Sequence, residues 1–235
     1  MTQHTPHPYA VSQTDLFVVG SLFALTFSSL GLEVCLTRLF SFLFLHAYVY
    51  LIISLAMAGL GVGATILSFL TPQAKRHYFH YLAILPLLTL ALLLVFSVIG
   101  AHVTACLLPT LLLFVSIGSA TTLLFQRTGL PLSVLYFVDL CGAAAGAISS
   151  FYLLNALGAI KAIVVLTSLA SFSMVMLHQS LFGRGGRLLF VKTVLIVALL
   201  PVLFMNIDSL VTPIHDRIKD MSTLFGENQN ARIID

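Results

Sequence analysis

Three charged side chains stand inside long apolar runs, and they are where this sequence could do chemistry. Glu33 and Arg38 lie in Gly31-Leu32-Glu33-Val34-Cys35-Leu36-Thr37-Arg38-Leu39, and Asp139 lies in Tyr136-Phe137-Val138-Asp139-Leu140-Cys141-Gly142. An ionised group at membrane depth is costly, so it turns toward a bundle interior or a wet cavity and takes a partner there. Such groups bind a ligand, relay protons or lock helix register. Glu33 and Arg38 are five residues apart, about 140° around a helix, so they are poor partners for one another. Glu33 shares its face with Ser29 and Thr37. Arg38 lies near a membrane edge, where a long side chain can snorkel to water. The simplest satisfied arrangements cross between helices: Arg38 with Asp139, or Glu33 with a hydroxyl.

The surroundings of these charges define the class of protein. The chain has 235 residues, 59% of them hydrophobic and only 8% charged. Soluble domains carry roughly a quarter charged residues, so this chain lacks the surface to face water on all sides. It is expected to be a polytopic membrane protein, with the lipid bilayer as its first partner. The formal charge of +3 is small and scattered, which argues against nucleic acid as a partner. Cys35, Cys106 and Cys141 all fall in apolar segments without paired spacing, so they are expected to be small buried hydrophobes. The first fifteen residues contain no Lys or Arg, which argues against a cleaved signal peptide.

A spanning helix needs about 20 apolar residues. Seven stretches meet or approach that length: Leu16–Phe40, His46–Leu70, Phe79–Gly100, Val103–Phe125, Pro131–Leu154, Gly158–Leu177 and Leu188–Met205. The expected fold is therefore all-α, a transmembrane helix bundle of about seven spans (six to eight). Residues 1–15 form a polar N-terminal tail, 16–205 the helical domain, and 206–235 a polar C-terminal tail. Pro131 suits a helix start, whereas Pro86, Pro109 and Pro201 fall inside spans and are expected to kink them. With no Trp present, an interfacial belt must rest on Tyr48, Tyr50, Tyr78 and Tyr81. Lys75, Arg76, Arg127, Arg184 and Arg187 fall on one side, with Arg38 and Lys161 on the other. The positive-inside rule then predicts a cytoplasmic N-terminus.

Two glycine pairs, Gly59/Gly63 and Gly142/Gly146, have the small-xxx-small spacing that lets helix backbones approach closely. They sit mid-helix, not between a strand and a helix, which excludes a nucleotide-binding loop. The eight histidines make no metal signature. His77 and His80 are three apart without a carboxylate or thiol beside them, and His46 reads as an interfacial residue. No nucleophile–base pair stands out, so no catalytic residue, metal site or cofactor is assigned within these residues.

Together, Leu32-Glu33-Val34-Cys35-Leu36-Thr37-Arg38-Leu39-Phe40-Ser41, His46 and Ile53-Ser54-Leu55-Ala56-Met57-Ala58-Gly59-Leu60-Gly61 resemble the opening of the membrane-embedded spermidine synthase-like proteins of bacteria. Leu135-Tyr136-Phe137-Val138-Asp139-Leu140-Cys141-Gly142-Ala143-Ala144-Ala145-Gly146 resembles a later helix of that family. Glu33, Thr37, Arg38, His46, Asp139, Gly142 and Gly146 fall on its motif positions. The resemblance covers most of residues 16 to 178. It implies a multi-pass domain in the bacterial inner membrane that anchors a soluble Rossmann-like domain, similar to aminopropyltransferases, and binds or passes a small substrate. That soluble domain would use an S-adenosylmethionine-type cofactor, and its catalytic residues match nothing here. Ala231-Arg232-Ile233-Ile234-Asp235 has the look of a strand just beginning, where such a domain would start. Seven spans, however, put the tail outside, away from the cofactor. The rival readings are a small-molecule or ion transporter, with a wet cavity and helices broken near the charges, and a structural subunit of a membrane complex, with the charges paired and dry.

Overall fold

The computed structural model describes residues 13–43, 48–73, 85–99, 103–127 and 129–182, together with positions 75, 78 and 82. Those residues form helices and short turns, with no strand among them. The helices are α1 (Gln13–Leu43), α2 (Tyr48–Phe69), α3 (Leu85–Ile99), α4 (Val103–Arg127), α5 (Leu132–Leu157) and α6 (Ala159–Phe182). Five of them, all but α3, are long and apolar enough to cross a membrane. The protein is thus a multi-pass membrane protein by the length and composition of its helices. Leu188–Met205 and the tail lie outside the described residues.

The helix ends follow local chemistry. Pro131 caps α5, and its carbonyl accepts from the Val134 N–H at 3.0 Å and the Leu135 N–H at 3.3 Å. Between α5 and α6 stands Gly158 alone, at φ 79°, a left-handed conformation that a residue with a Cβ adopts only with strain. Its N–H reaches back to the Leu154 carbonyl at 3.1 Å, and its own carbonyl receives the Ala162 N–H at 3.1 Å. Pro86 is the second described residue of α3, next to positions outside the described residues, where the kink expected of it falls. Helix α4 runs on through Pro109.

Helix directions can be read from which backbones meet. Along α2, Gly59 lies against Leu111 and Phe114 of α4, and one turn later Gly63 lies against Val115 and Ser119. Both sequences rise together, so α2 and α4 run parallel. Along α5, Gly142 meets Phe23 and Thr26 of α1, Gly146 meets Phe27, and the Ser150 hydroxyl points at the Gly31 carbonyl at 3.4 Å. Helices α1 and α5 are therefore parallel too. Gly31 touches Leu166 as well as Ser150, and each is eight residues from Gly158, so the chain reverses there and α1 wedges between α5 and α6.

Parallel packing of α2 and α4 requires the chain between them to recross the bilayer. The described helix available for that is α3, whose 15 residues rise about 22 Å against a hydrocarbon core of about 30 Å. Counting α3 gives six crossings through Phe182. The starts of α1 and α5 then share one side with the ends of α2, α4 and α6. Lys75 follows α2 and Arg127 closes α4, so both basic positions fall on that side.

These contacts predict which glycines the fold cannot replace. A Cβ on Gly63 would collide with the Val115 carbonyl, and one on Gly146 with the Phe27 carbonyl. Gly63→Leu and Gly146→Leu should each destabilise the purified protein by about 1–3 kcal/mol or prevent its assembly. Gly61→Leu should leave the unfolding temperature in detergent unchanged, because an added Cβ there meets nothing within 4 Å. A sidedness reporter fused after Phe182 should read the same side as one placed before Gln13. Opposite readings would remove α3 from the count of crossings.

Candidate functional site

The cavity of interest, about 300 Å³ and partly open, lies between α1, α2, α4 and α5. Helix α1 contributes Thr26, Ser29, Leu30 and Glu33, a stripe at the three-, four- and seven-residue spacing that one helix face repeats. From α5 come Asp139 and Ala143, one turn apart. Thr121 and Thr122 near the end of α4, with Gly118, form the opposite wall, closed by Leu60 of α2. The glycine contacts set the width. Gly118 approaches Leu60 so closely that an added Cβ would stand 2.7 Å from the Leu60 Cα.

Most polar groups of this cavity are acceptors, with the Ser29 hydroxyl on the α1 wall able to donate as well. Glu33 and Asp139 are carboxyl groups, both half-buried. Thr26 donates its hydroxyl proton to its own helix, 3.1 Å from the Leu22 carbonyl and 3.2 Å from that of Phe23. Thr121 donates to the Ile117 carbonyl at 3.0 Å, and Thr122 to that of Gly118 at 2.8 Å. A hydroxyl whose proton is committed to the preceding turn offers only lone pairs to its surroundings. The three threonines therefore face the space as acceptors, beside two carboxyl groups. No Lys, Arg or His is among the described residues that line it. Such a cavity suits a cation or a donor-rich solute, and it opposes an anion.

The other residues singled out in the sequence are placed elsewhere. Thr37 turns its hydroxyl to the Val34 carbonyl at 2.8 Å and does not line the cavity. Arg38 is exposed and does not line it either, so the cavity joins the two acids without the arginine expected beside Asp139. His46 lies outside the described residues. Gly142 and Gly146 hold α5 against α1 just beyond Asp139, and Gly59 and Gly63 hold α2 against α4, so the glycines position the cavity walls. Of the cysteines, Cys35 and Cys106 are buried, but Cys141 is exposed on the outer face of α5. That face also exposes Phe137, Leu140 and Ile148, so an apolar neighbourhood there marks an outward surface, not a core. Tyr78 leaves the interfacial belt and meets the Ser119 hydroxyl at 3.1 Å inside the bundle.

Thr26, Thr121 and Thr122 are functional candidates that charge alone did not single out. Their signal in the sequence is the adjacent Thr121-Thr122 pair and the placing of Thr26 seven residues before Glu33. Among the described residues, no three His, Cys, Asp or Glu side chains converge on a point that could hold a metal.

The cavity should be reached by water. In a variant lacking Cys35, Cys106 and Cys141, a cysteine at Thr122 should react with a small charged thiol reagent added to membranes. A cysteine at Ile148, 65% exposed on the lipid face of α5, should not. Equal protection of both positions would mean a dry cavity. No protein-family model matches the chain, and neither a curated protein nor a solved structure is significantly similar to it.

Proposed function

We propose that this chain is a multi-pass membrane domain that binds a small cationic solute in the cavity between α1, α2, α4 and α5. The observation that carries this reading is the meeting of Glu33 and Asp139 in one cavity whose threonine hydroxyls point only lone pairs inward. Two carboxylates in a low-dielectric space need neutralisation by a proton or a bound cation. The volume of about 300 Å³ sits at the lower edge of small-molecule sites, which suits a slender solute better than a bulky one.

The resemblance to the membrane-embedded spermidine synthase-like proteins supplies a chemical class, since polyamines are extended chains of protonated amines. In that reading the domain anchors a soluble synthase-like partner to the bacterial inner membrane and holds or passes its substrate. The cytoplasmic N-terminus and the seventh span, Leu188–Met205, belong to the same proposal. A purely structural subunit would have no use for an acceptor-lined cavity. Passage of the solute would not use helices broken at the site, because α1 continues unbroken through Glu33 and α5 through Asp139.

Calorimetric titration of spermidine into the purified protein in lipid nanodiscs tests the reading. Wild type should bind spermidine and show no heat with a dicarboxylate of similar length. Glu33→Gln and Asp139→Asn should each weaken spermidine binding about tenfold or more, a loss of about 1.4 kcal/mol. An unchanged affinity in the doubly neutralised variant would sink the proposal.

A further inference from the structure

The six helices do not pack evenly. Helix α1 packs most extensively on α5 and α6, and α4 on α2 and α3. Contacts between these two sets are sparser, made chiefly by α1 with α2 and, over shorter stretches, by α3 with α6 and α1 with α4. Each set has its own backbone-to-backbone seam. In the first, α5 meets α1 at Gly142 and Gly146; in the second, α2 meets α4 at Gly59, Gly63 and Gly118. Four hydrogen bonds between segments follow the same division. The Ser150 hydroxyl and the Gly31 carbonyl belong to the first set. The bond from the Ser119 hydroxyl to the Gly63 carbonyl, at 3.1 Å, lies in the second. So do Tyr78 with Ser119, and Lys75, which donates to the Gln126 side chain at 2.7 Å.

The cavity lies on the boundary between the sets. Its carboxyl groups, with Thr26, come from the first set, and Leu60, Thr121 and Thr122 from the second. The second set is the continuous stretch α2–α3–α4. The chain passes between the sets only twice among the described helices, between Leu43 and Tyr48 and between Arg127 and Leu132. Because α1 and α5 are parallel, those two passages fall on opposite sides of the membrane.

We infer that the described helices form two three-helix bodies, α1–α5–α6 and α2–α3–α4, that rock against each other about the carboxylate-lined cavity, exposing it to each side of the membrane in turn. Close-packed interiors move as units, while a joint held by fewer contacts has room for two arrangements. A cation held by the acids of one body and the hydroxyls of the other would favour the arrangement in which both walls reach it. The rocking itself stands on the packing alone; only its coupling to a cation rests on the proposed binding.

Spin-label distance measurements on cysteine pairs in nanodiscs test this, in the variant freed of its native cysteines. Leu16 with Leu132 spans the first body. Phe69 with Leu132, and Tyr50 with Tyr152, span the joint near its two membrane faces; all five of these side chains are exposed. Without ligand, the within-body pair should give one narrow distance. The two cross-joint pairs should give broad or two-peaked distributions. Addition of spermidine should move the cross-joint pairs in opposite directions, one longer and one shorter by a few Å. Three equally narrow distributions would overturn the proposal in favour of a single rigid block, and three equally broad ones would overturn it because no body is then rigid. Two-peaked cross-joint distances indifferent to spermidine would keep the joint and remove the polyamine reading of the cavity.

Discussion

Everything in this bundle depends on how closely two helix backbones can approach in a solvent that does not drive them together. Lipid tails are as apolar as leucine, so burying apolar side chains between membrane helices gains little, and van der Waals contact at short range must hold them. Gly63 against the Val115 carbonyl, and Gly146 against that of Phe27, are approaches that no side chain with a Cβ could make. They are reinforced by hydroxyls such as those of Ser119 and Ser150, each bonded within its own helix and turned toward a neighbouring carbonyl. The same close approaches fix the depth and rotation of α5 relative to α1, and so set where Asp139 stands.

The carboxyl groups of Glu33 and Asp139 are a cost that packing alone does not explain. Had they served only to lock register, each could have been met by a cation or donor from a facing helix. Instead the described residues around them are threonines that spend their protons on their own backbone, together with Ser29 and small or apolar residues. An arrangement rich in inward-facing acceptors and without a cation among the described residues stabilises something brought from outside. Elsewhere among the described helices most serine and threonine hydroxyls also close onto carbonyls, while those of Thr167 and Ser171 are buried without a partner. What sets the cavity apart is the meeting of two carboxyl groups.

The sequence made some of this legible and hid the rest for identifiable reasons. Lengths and hydropathy located the helices that became α1, α2, α4, α5 and α6 to within a few residues, because the bilayer demands long apolar runs. The stretch Phe79–Gly100 is represented among the described residues chiefly by the shorter α3. Glycine spacing indicated that close contacts exist but not which helices make them, because a seam is a property of two surfaces and the chain lists only one at a time. Cys141 illustrates a related blindness. In a helix apolar all round, nothing in the residue types separates the face toward lipid from the face toward protein. Charge complementarity suggested Arg38 for Asp139, whereas the cavity brings Asp139 together with Glu33, an association of like groups that pairwise attraction would never propose.

The parallel pairing of α1 with α5 has a consequence for the making of the protein. A helix can pack only against partners that have already been synthesised, and the neighbours of α1 across its glycine seam lie more than a hundred residues downstream. Helices α2 and α4 meet sooner, across one intervening segment. On the ribosome the middle of the chain can therefore assemble while α1 waits in the bilayer with Glu33 still lacking its final surroundings. The later step, when α5 and α6 close around α1, surrounds α1 and completes the cavity at once. Quality control that recognises an unsheltered charge in lipid would have that interval in which to act.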